Sequence, residues 1–287
     1  MNKTLIFTHR GLEPSNENFF FESSYEAFKN HLEREFGIEF DPNFTKDNII
    51  VWHDSTLKRI TQGKDERNFS DVLFFEIANI NISNGKISSF AEILDLIKNS
   101  KAKLHALHLK AINQTREKID KLLELIRKRG VIDLILLFDV KPEWARYIKS
   151  KIPQIKIAPS VALDYDIKRY GKMTGDTLIS IEDALKFKEE GIYDWVWLDE
   201  WDRIDENGQD KKLYTKEVFL KLKNIGYKIA LVTPELHGTS PGLLGGEAHS
   251  DAKNKESLFK RINEIIELNP DAICTDYPEE VRKIFKG

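Results

Sequence analysis

The 287-residue chain has little cysteine, little net charge and no long apolar run, and each shortage excludes a class of protein. Its single cysteine, Cys274, cannot form an intramolecular disulfide, which fits a reducing compartment. A formal net charge of -3 offers no basic face to a nucleic acid. No apolar stretch is long enough to span a bilayer, and the first residues form a strand-like run rather than a secretory leader. We therefore expect a cytoplasmic protein without a nucleic-acid partner or a membrane span.

Strand-like and helical patterns alternate along the chain. Short apolar runs predict strands over Thr4–Thr8, Gly37–Asp41, Leu104–Lys110, Leu134–Val140, Ile155–Ser160, Asp194–Asp199, Tyr227–Thr233 and Ala272–Thr275. Apolar residues at helical spacing predict helices over Ser24–Glu35, Ser88–Lys98, Gln114–Arg129, Lys216–Asn224 and Lys255–Glu267. About eight strand–helix units over this length predict an α/β fold, a (β/α)₈ TIM barrel, with a doubly wound sheet as the alternative.

The chain shows no low-complexity segment and no convincing internal repeat, so we expect a single domain over residues 1–287. Residues 60–87 have the weakest periodicity and are expected to be an insertion. Ile49–Trp52 is a brief additional strand-like run before it. A long, glycine-rich loop is expected near residues 233–251, after the seventh strand.

Two carboxylates lie close together in the second predicted strand. Side chains alternate between the faces of a strand, so Glu39 and Asp41 face the same way. Adjacent carboxylates repel each other, and a structure tolerates this when a cation or a shared proton lies between them. Oxygen ligands suit a hard divalent cation such as Mg²⁺ or Ca²⁺. From this feature alone, the alternative is an edge strand with a solvated acidic face.

Other polar residues fall where the predicted strands end. His9 and Arg10 follow the first strand, His108 and Lys110 end the third, and Asp276 follows the last. In barrels of this kind the chemistry lies at the carboxyl ends of the strands. We therefore expect these residues to converge with the two carboxylates.

The motifs that contain these residues occur in an informative order. They are F-T-H-R-G-L at 7–12, E-S-S-Y-E-A-F at 22–28, G-I-E-F-D at 37–41, T-K-D-N-I-I-V-W-H-D at 45–54, L-K-R-I-T-Q-G at 57–63, L-H-L-K at 107–110 and D-A-I-C-T-D-Y-P at 271–278. Singly they are weak signals, but in this order the chain resembles the glycerophosphodiester phosphodiesterase family. Between residues 112 and 270 the resemblance is limited to the barrel-like alternation.

The resemblance implies a TIM barrel of the phospholipase C-like phosphodiesterase type that uses one divalent cation. It implies a phosphoric diester hydrolase of glycerol and lipid metabolism that releases an alcohol and glycerol 3-phosphate. His9 and His53 match the two catalytic histidines of the family, and Arg10 matches the phosphate-binding arginine. Glu39 and Asp41 match two metal ligands. The nucleophile in the family is thought to be a hydroxyl of the substrate itself, giving a cyclic phosphate that water then opens.

Elementary chemistry agrees with these roles. An arginine such as Arg10 can hold two phosphoryl oxygens at once. Two imidazoles can divide the proton transfers, one accepting a proton from the nucleophile and the other donating one to the leaving alkoxide. The sequence does not assign acid and base between His9 and His53.

The chain departs from the family at the third metal ligand. Family members usually carry glutamate there, whereas this chain has His108 in the H-L-K context. Imidazole favours softer ions, so Mn²⁺ or another transition ion joins Mg²⁺ and Ca²⁺ as a candidate. We expect His108 to bind the cation, directly or through water, and Lys110 to lie near the phosphate. We expect the nearby His105 to be a satisfied core histidine.

Two further segments have candidate substrate contacts. The loop near 233–251 predicts a lid that shapes specificity, with Glu235 and His237 reaching the leaving group; a loop that makes no contact is the alternative. Trp197 lies near the barrel mouth and is a candidate substrate contact, against the alternative that it belongs to the core.

Other functions remain compatible with the sequence. The substrate could be a glycerol-phosphate or sugar-phosphate diester of surface polysaccharide or nucleotide metabolism. The enzyme could be a lyase that stops at the cyclic phosphate. A non-catalytic binding barrel is a third possibility, but a pure binder needs no pair of proton-transferring histidines. The sequence does not define the oligomeric state.

Overall fold

The computed structural model describes residues 4–80, 82–201, 205, 207–234 and 254–286. Its strands are β1 Leu5–Thr8, β2 Gly37–Phe40, β3 Pro42–Phe44, β4 Ile49–Val51, β5 Ser88–Ser89, β6 His105–His108, β7 Ile135–Phe138, β8 Lys156–Ile157, β9 Ser160–Val161, β10 Leu178–Ile179, β11 Trp195–Leu198, β12 Lys228–Val232 and β13 Ala272–Thr275. Its α-helices are α1 Tyr25–Glu33, α2 Phe74–Ile77, α3 Phe90–Asn99, α4 Arg116–Arg129, α5 Pro142–Lys151, α6 Asp164–Tyr170, α7 Ile181–Glu189, α8 Lys216–Asn224, α9 Lys255–Glu267 and α10 Pro278–Ile284.

The main sheet is parallel and curls into a barrel. Its order is β10-β9-β11-β12-β13-β1-β2-β6-β7-β8, so the first strand along the chain pairs with both the second and the last. β8 and β9 belong to one short segment that pairs with β7 at its start and with β11 at its end. This segment joins the two ends of the sheet, and β10 adds to β9 beside it. The predicted (β/α)₈ barrel is therefore confirmed.

Side chains alternate between the two faces of each strand and so form two separate apolar clusters. Inward-facing residues from several strands fill the barrel, namely Phe7, Leu104, Ala106, Leu136, Phe138, Ala158, Trp195, Trp197, Ala230, Ala272 and Cys274. The residues between them, such as Ile38 and Leu107, pack outward under the helices in a second, larger cluster. Strands buried on both faces explain the nearly continuous apolar runs of the sequence.

Helix α4 shows how local sequence produces the outer layer. The Thr115 side chain accepts a hydrogen bond from the Lys118 N–H at the start of the helix. Gly130 ends it in the left-handed conformation, with φ 73°, where glycine has no Cβ to clash. Between them, Ile119, Leu122, Leu123 and Ile126 form the buried stripe that the helical spacing predicts.

The segment between β2 and α3 differs from the predicted insertion. It begins earlier, at Pro42, and contains a small antiparallel sheet of β3, β4 and β5. The Ile49 run therefore belongs to this sheet and not to the barrel. The segment also has its own apolar cluster, formed by Ile50, Trp52, Leu57, Ile60, Phe69, Val72, Ile77, Ile82 and Ile87. These residues are spread over irregular backbone, and this explains the weak periodicity of residues 60–87.

Within the described ranges, no helix combines the length and the apolar character that crossing a membrane requires.

Candidate active site

Most of the polar residues that the sequence singles out lie around one cavity of about 900 Å³ at the carboxyl ends of the barrel strands. The cavity is lined by His9, Arg10, Glu39, His53, His108, Lys110 and Trp197. Asp41 lies just beneath, fully buried after β2. Glu235 and His237 lie outside the described residues, as does most of the predicted 233–251 loop.

Each of the two proposed catalytic histidines is held by a carboxylate. The Nδ1 atom of His9 lies 3.0 Å from Oδ1 of Asp276, which follows β13. The Nδ1 atom of His53 lies 3.0 Å from Oδ1 of its neighbour Asp54. An ionised carboxylate only accepts, so Nδ1 carries the hydrogen in both rings and Nε2 is the nitrogen available for proton transfer.

The second pair, His53 and Asp54, is also in contact with an arginine, Arg59. Arg59 donates from Nε to Oδ2 of Asp54 and forms a further ion pair with Glu22. Its guanidinium also lies 5.7 Å from the centre of the Trp52 ring. Burial opposes ionisation of Asp54, but the contacts with His53 and Arg59 outweigh it and lower the pKa of Asp54. This carboxylate is therefore ionised and its charge is shared between two partners.

Glu39, Asp41 and His108 form the acidic centre of the site. One potential ligand atom from each residue lies within 4.8 Å of the others. Oε2 of Glu39 accepts a hydrogen bond of 3.1 Å from the backbone N–H of Arg10. Oδ2 of Asp41 is buried and has no hydrogen-bond partner in the part of the chain that the structure describes. A buried carboxylate oxygen left without a donor, beside a second carboxylate, fits a divalent cation.

The two carboxylates differ in their electrostatics. Burial, together with the charge of Asp41, raises the pKa of Glu39. Burial would also raise the pKa of Asp41, but Lys110 and the neighbouring imidazoles outweigh it and hold this pKa well below its usual range. A bound divalent cation would favour ionisation of both, because it adds positive charge beside them.

Lys110 was predicted to lie near the phosphate, but its ammonium group also contacts two other parts of the protein. Its Nζ lies 3.1 Å from Oδ1 of Asp41 and donates to the backbone oxygen of His53. The ammonium group therefore ties the insertion to the acidic centre. It also acts on the histidine: burial, then Arg10 and Lys110, lowers the pKa of His53 well below its ordinary value. His53 is therefore neutral at pH 7, the form that accepts a proton.

His108 is placed between two carboxylates. Its Nδ1 lies 3.0 Å from Oδ1 of Asp41, and its Nε2 lies 3.2 Å from Oδ2 of Asp139. Burial disfavours the imidazolium, but the bonds with Asp139 and Asp41 prevail and raise the pKa of His108 to about 9. His105 faces the other side of β6, fully buried, with Nδ1 3.3 Å from the N–H of Ile38. It is the core histidine that the sequence indicated.

The opposite wall of the cavity is aromatic and partly acidic. Trp197 is 3% exposed and stacks on Phe138 with ring centres 3.8 Å apart, so it belongs to the barrel core as well as to the cavity lining. Asp199 lies at the end of β11, near Ser160. Burial, then the charge of Asp139, raises the pKa of Asp199 to about 7.

Asp139 and Arg59 belong to the site but were not predicted from the sequence, whereas Asp199, which shares a strand face with Trp197 near the barrel mouth, was a candidate contact and lines the cavity. Asp139 falls inside the predicted strand Leu134–Val140, whereas the observed β7 ends one residue before it, at Phe138, so its place at the end of a strand was not visible in the spacing. Arg59 lies in the L-K-R-I-T-Q-G motif, but nothing in the spacing showed that it would reach Asp54. Glu22, which had no assigned role, proves to be the second partner of Arg59.

These features are typical of a TIM-barrel enzyme of phosphoryl chemistry: two carboxylate-held histidines, a buried arginine and an acidic centre that could hold a cation, all at the barrel mouth. Comparison with known proteins agrees. The model of the glycerophosphoryl diester phosphodiesterase family matches residues 9–165, more than half of the chain. No curated protein matches the sequence.

Solved structures share the fold at low sequence identity. A glycerophosphoryl diester phosphodiesterase from Parabacteroides distasonis has 21% identity and a TM-score of 0.64, over 99% of this chain and 86% of its own. A second glycerophosphodiester phosphodiesterase from that organism has 18% identity and a TM-score of 0.65, over 99% and 98%. A phosphodiesterase from Oleispira antarctica, solved with the product sn-glycerol-3-phosphate, has 14% identity and a TM-score of 0.64, over 99% and 97%.

The chain therefore belongs to the glycerophosphoryl diester phosphodiesterase family. It is a phosphoric diester hydrolase, which confirms the enzyme class that the sequence motifs indicated.

Proposed function

We propose that this enzyme hydrolyses a glycerophosphodiester to an alcohol and glycerol 3-phosphate, with a divalent cation held by Glu39, Asp41 and His108. The observation that carries the proposal is the shared cavity, which His9, Arg10 and His53 line together with Glu39. The product found in the Oleispira antarctica enzyme supports the same substrate class. When bound, the cation neutralises charge on the phosphoryl oxygens and polarises the attacking oxygen.

The environments of the two histidines favour different roles. Asp54 shares its charge with Arg59, and His53 has a lowered pKa, so His53 suits the proton acceptor. His9 is held by Asp276, whose carboxylate stabilises an imidazolium. We therefore assign the acceptor to His53 and the donor to the leaving alkoxide to His9. Arg10, on a backbone with φ 51° just after β1, is assigned to a phosphoryl oxygen.

The remaining assignments follow from position. Lys110 supports the acidic centre and adds positive charge beside the phosphate. Trp197 offers an apolar wall to the substrate. For the cation, Mg²⁺ and Ca²⁺ suit the two carboxylates, whereas His108 favours Mn²⁺ or another transition ion. The pairing of β1 with β13 supports one catalytic domain over the whole chain. The single cysteine of the chain, the buried Cys274, fits a cytoplasmic location.

The cavity favours a second candidate substrate. At about 900 Å³ it is near the upper end of small-molecule sites, roughly 300–1,000 Å³, and it has aromatic and carboxylate groups opposite the histidines. This combination suits a bulkier polyol or sugar on the leaving side. A glycerol-phosphate or sugar-phosphate diester is therefore the alternative within the same chemistry.

The test is an assay of the full-length protein with glycerophosphodiesters and bis(p-nitrophenyl) phosphate, in the presence of Mg²⁺, Ca²⁺ or Mn²⁺. We expect turnover that EDTA abolishes and that one of the added cations restores. Phosphorus NMR of the product is expected to show glycerol 3-phosphate. A persistent cyclic ester would instead identify a lyase, and no turnover with any cation would identify a binding barrel.

A further inference from the structure

The imidazole of His108 has an acidic partner at each nitrogen. Oδ1 of Asp41 lies 3.0 Å from Nδ1, and Oδ2 of Asp139 lies 3.2 Å from Nε2. Asp41 follows β2, His108 ends β6 and Asp139 follows β7, and these three strands are neighbours in the sheet. The two carboxylates therefore approach the ring from opposite sides because of strand order.

The plane of the ring is also fixed. Phe138 stacks on His108 with centres 4.6 Å apart and planes at 17°. Phe138 in turn stacks on Trp197 with centres 3.8 Å apart, so the stack continues into the barrel core. Tilting the imidazole would disrupt this stack and both nitrogen contacts together.

The backbone at Asp139 is held in an unusual conformation. Its φ of 63° is in the left-handed region, which disfavours most residues and which Asn and Asp tolerate best. The buried side chain of Gln114 donates to the backbone oxygens of Leu109 and Asp139, at 2.7 Å each, and accepts from the N–H of Lys141 at 3.0 Å. Gln114 thus joins the ends of β6 and β7 and fixes the position of the Asp139 carboxylate.

We propose that Asp139 is a positioning residue that makes His108 a metal ligand: Nε2–H donates to Asp139, and Nδ1, which lies 3.0 Å from Asp41, releases its proton to solvent when it binds the cation that Glu39 and Asp41 hold. This deepens the proposed function and rests on its cation site. A carboxylate behind a ligating histidine fixes its tautomer and orientation and raises its basicity. A glutamate ligand has no N–H and needs no such partner.

The chemistry of the donor set gives a consequence for selectivity. Two carboxylates and one imidazole favour Mn²⁺ and later divalent ions over Mg²⁺ and Ca²⁺, because imidazole is the softer ligand. The orienting carboxylate increases this preference by strengthening the nitrogen donor. The cation preference of the site thus depends on His108 and Asp139 together.

The first test measures Mn²⁺ binding to the metal-free, full-length protein by isothermal titration calorimetry. We expect Asp139→Asn to lower the affinity about 10- to 100-fold, in the range found for such partners of ligating histidines. Asparagine tolerates the left-handed backbone, so the variant should fold, and its melting temperature verifies this. The matched control is Asp199→Asn, which removes a neighbouring carboxylate that has no hydrogen bond to His108; its Mn²⁺ affinity should change less than about threefold. Equal affinities of wild type and Asp139→Asn would overturn the proposal.

The second test is a double-mutant cycle with His108→Glu. In that background the third ligand is a carboxylate, so Asp139→Asn should leave Mn²⁺ affinity unchanged or raise it by removing a like charge. The same loss in both backgrounds would contradict an effect that acts through His108. The cycle also predicts that His108→Glu shifts the preference from Mn²⁺ toward Mg²⁺.

A spectroscopic measurement completes the design. Electron spin echo modulation of the Mn²⁺-loaded protein should show a coupled nitrogen in wild type, a weaker one in Asp139→Asn and none in His108→Glu. Absence of the nitrogen signal in wild type would overturn the proposal. None of these readouts needs turnover. If they behave as expected but no phosphodiester is hydrolysed, the proposed function alone fails.

Discussion

The two halves of the barrel mouth present different chemistry to the same cavity. The half built on β1, β2, the insertion that follows β2, and β6 carries the imidazoles, the arginine, the lysine and the acidic centre. These residues are His9, Arg10, Glu39, His53, His108 and Lys110. The half built on β9, β11, β12 and β13 presents Ser160, Trp197, Asp199, Val232 and Cys274. The first half has the groups proposed for proton transfer and cation binding, whereas the second half mainly forms a wall of the cavity.

The family model ends at residue 165, so it covers the site residues of the first half but only β9 of the second. The first half holds the residues that we propose act on the phosphodiester group itself. The other half faces the space that is left for the rest of the substrate. We infer that the first half sets the reaction and the second half sets the substrate. The exception is Asp276, which follows β13 and holds His9 across the junction.

The largest expected effect comes from removing an imidazole in the first half. His53→Ala should lower kcat about 10²- to 10⁴-fold, because it removes a general acid–base group. Ser160→Ala, a small polar residue of the second half, should lower kcat less than about tenfold. Steady-state kinetics with the substrate identified in the metal-supplemented assay provides the comparison. Equal losses in the two variants would break the division between the halves.

A smaller effect is expected from Arg59, which contacts the carboxylate of Asp54 that holds His53. Arg59→Met leaves the charge of Asp54 to His53 alone, which stabilises the imidazolium and raises the pKa of His53. We expect kcat to fall about tenfold at pH 7 and the acidic limb of the pH–rate profile to move to higher pH. Arg67→Met is the matched control, because Arg67 lies in the same insertion but pairs with Asp65 and Glu76 at the surface. A profile that stays in place would show that Arg59 has only a structural role.

The smallest effect concerns stability in the second half. The folded-state pKa of Asp199, about 7, lies above its ordinary value, so the native state binds the proton more tightly than the unfolded chain. Stability contributed at this position is therefore lost as pH rises from about 4 through 7. The side chain of Asp199 lines the open cavity, so we expect the effect to be small. Asp199→Asn should raise the melting temperature by about 2–4 °C at pH 8 and leave it unchanged at pH 4. A lower melting temperature at pH 8 would show that the charged carboxylate has a stabilising partner.

Part of the site followed from strand alternation alone. Glu39 and Asp41 are two residues apart, so they had to share a face, and the structure places both at the acidic centre. The same rule separates His105 from His108, one under the helices and the other at the cavity. The order of the motifs indicated the family and, through it, the barrel fold. Only the tertiary structure could show that Asp139 contacts His108. This contact depends on β7 lying beside β6 and on the left-handed φ of Asp139.

The sequence by itself determined the repeated strand–helix pattern, the facing of each side chain within its strand and the order of the family motifs. These are local properties, because residue spacing fixes them once a segment is a strand or a helix. The tertiary structure alone decided which carboxylate holds which imidazole. Asp139 meets His108 across neighbouring strands, and Asp276 meets His9 from the other end of the chain. The pairing of β6 with β7 and of β1 with β13 creates those contacts, and no spacing along the chain encodes them.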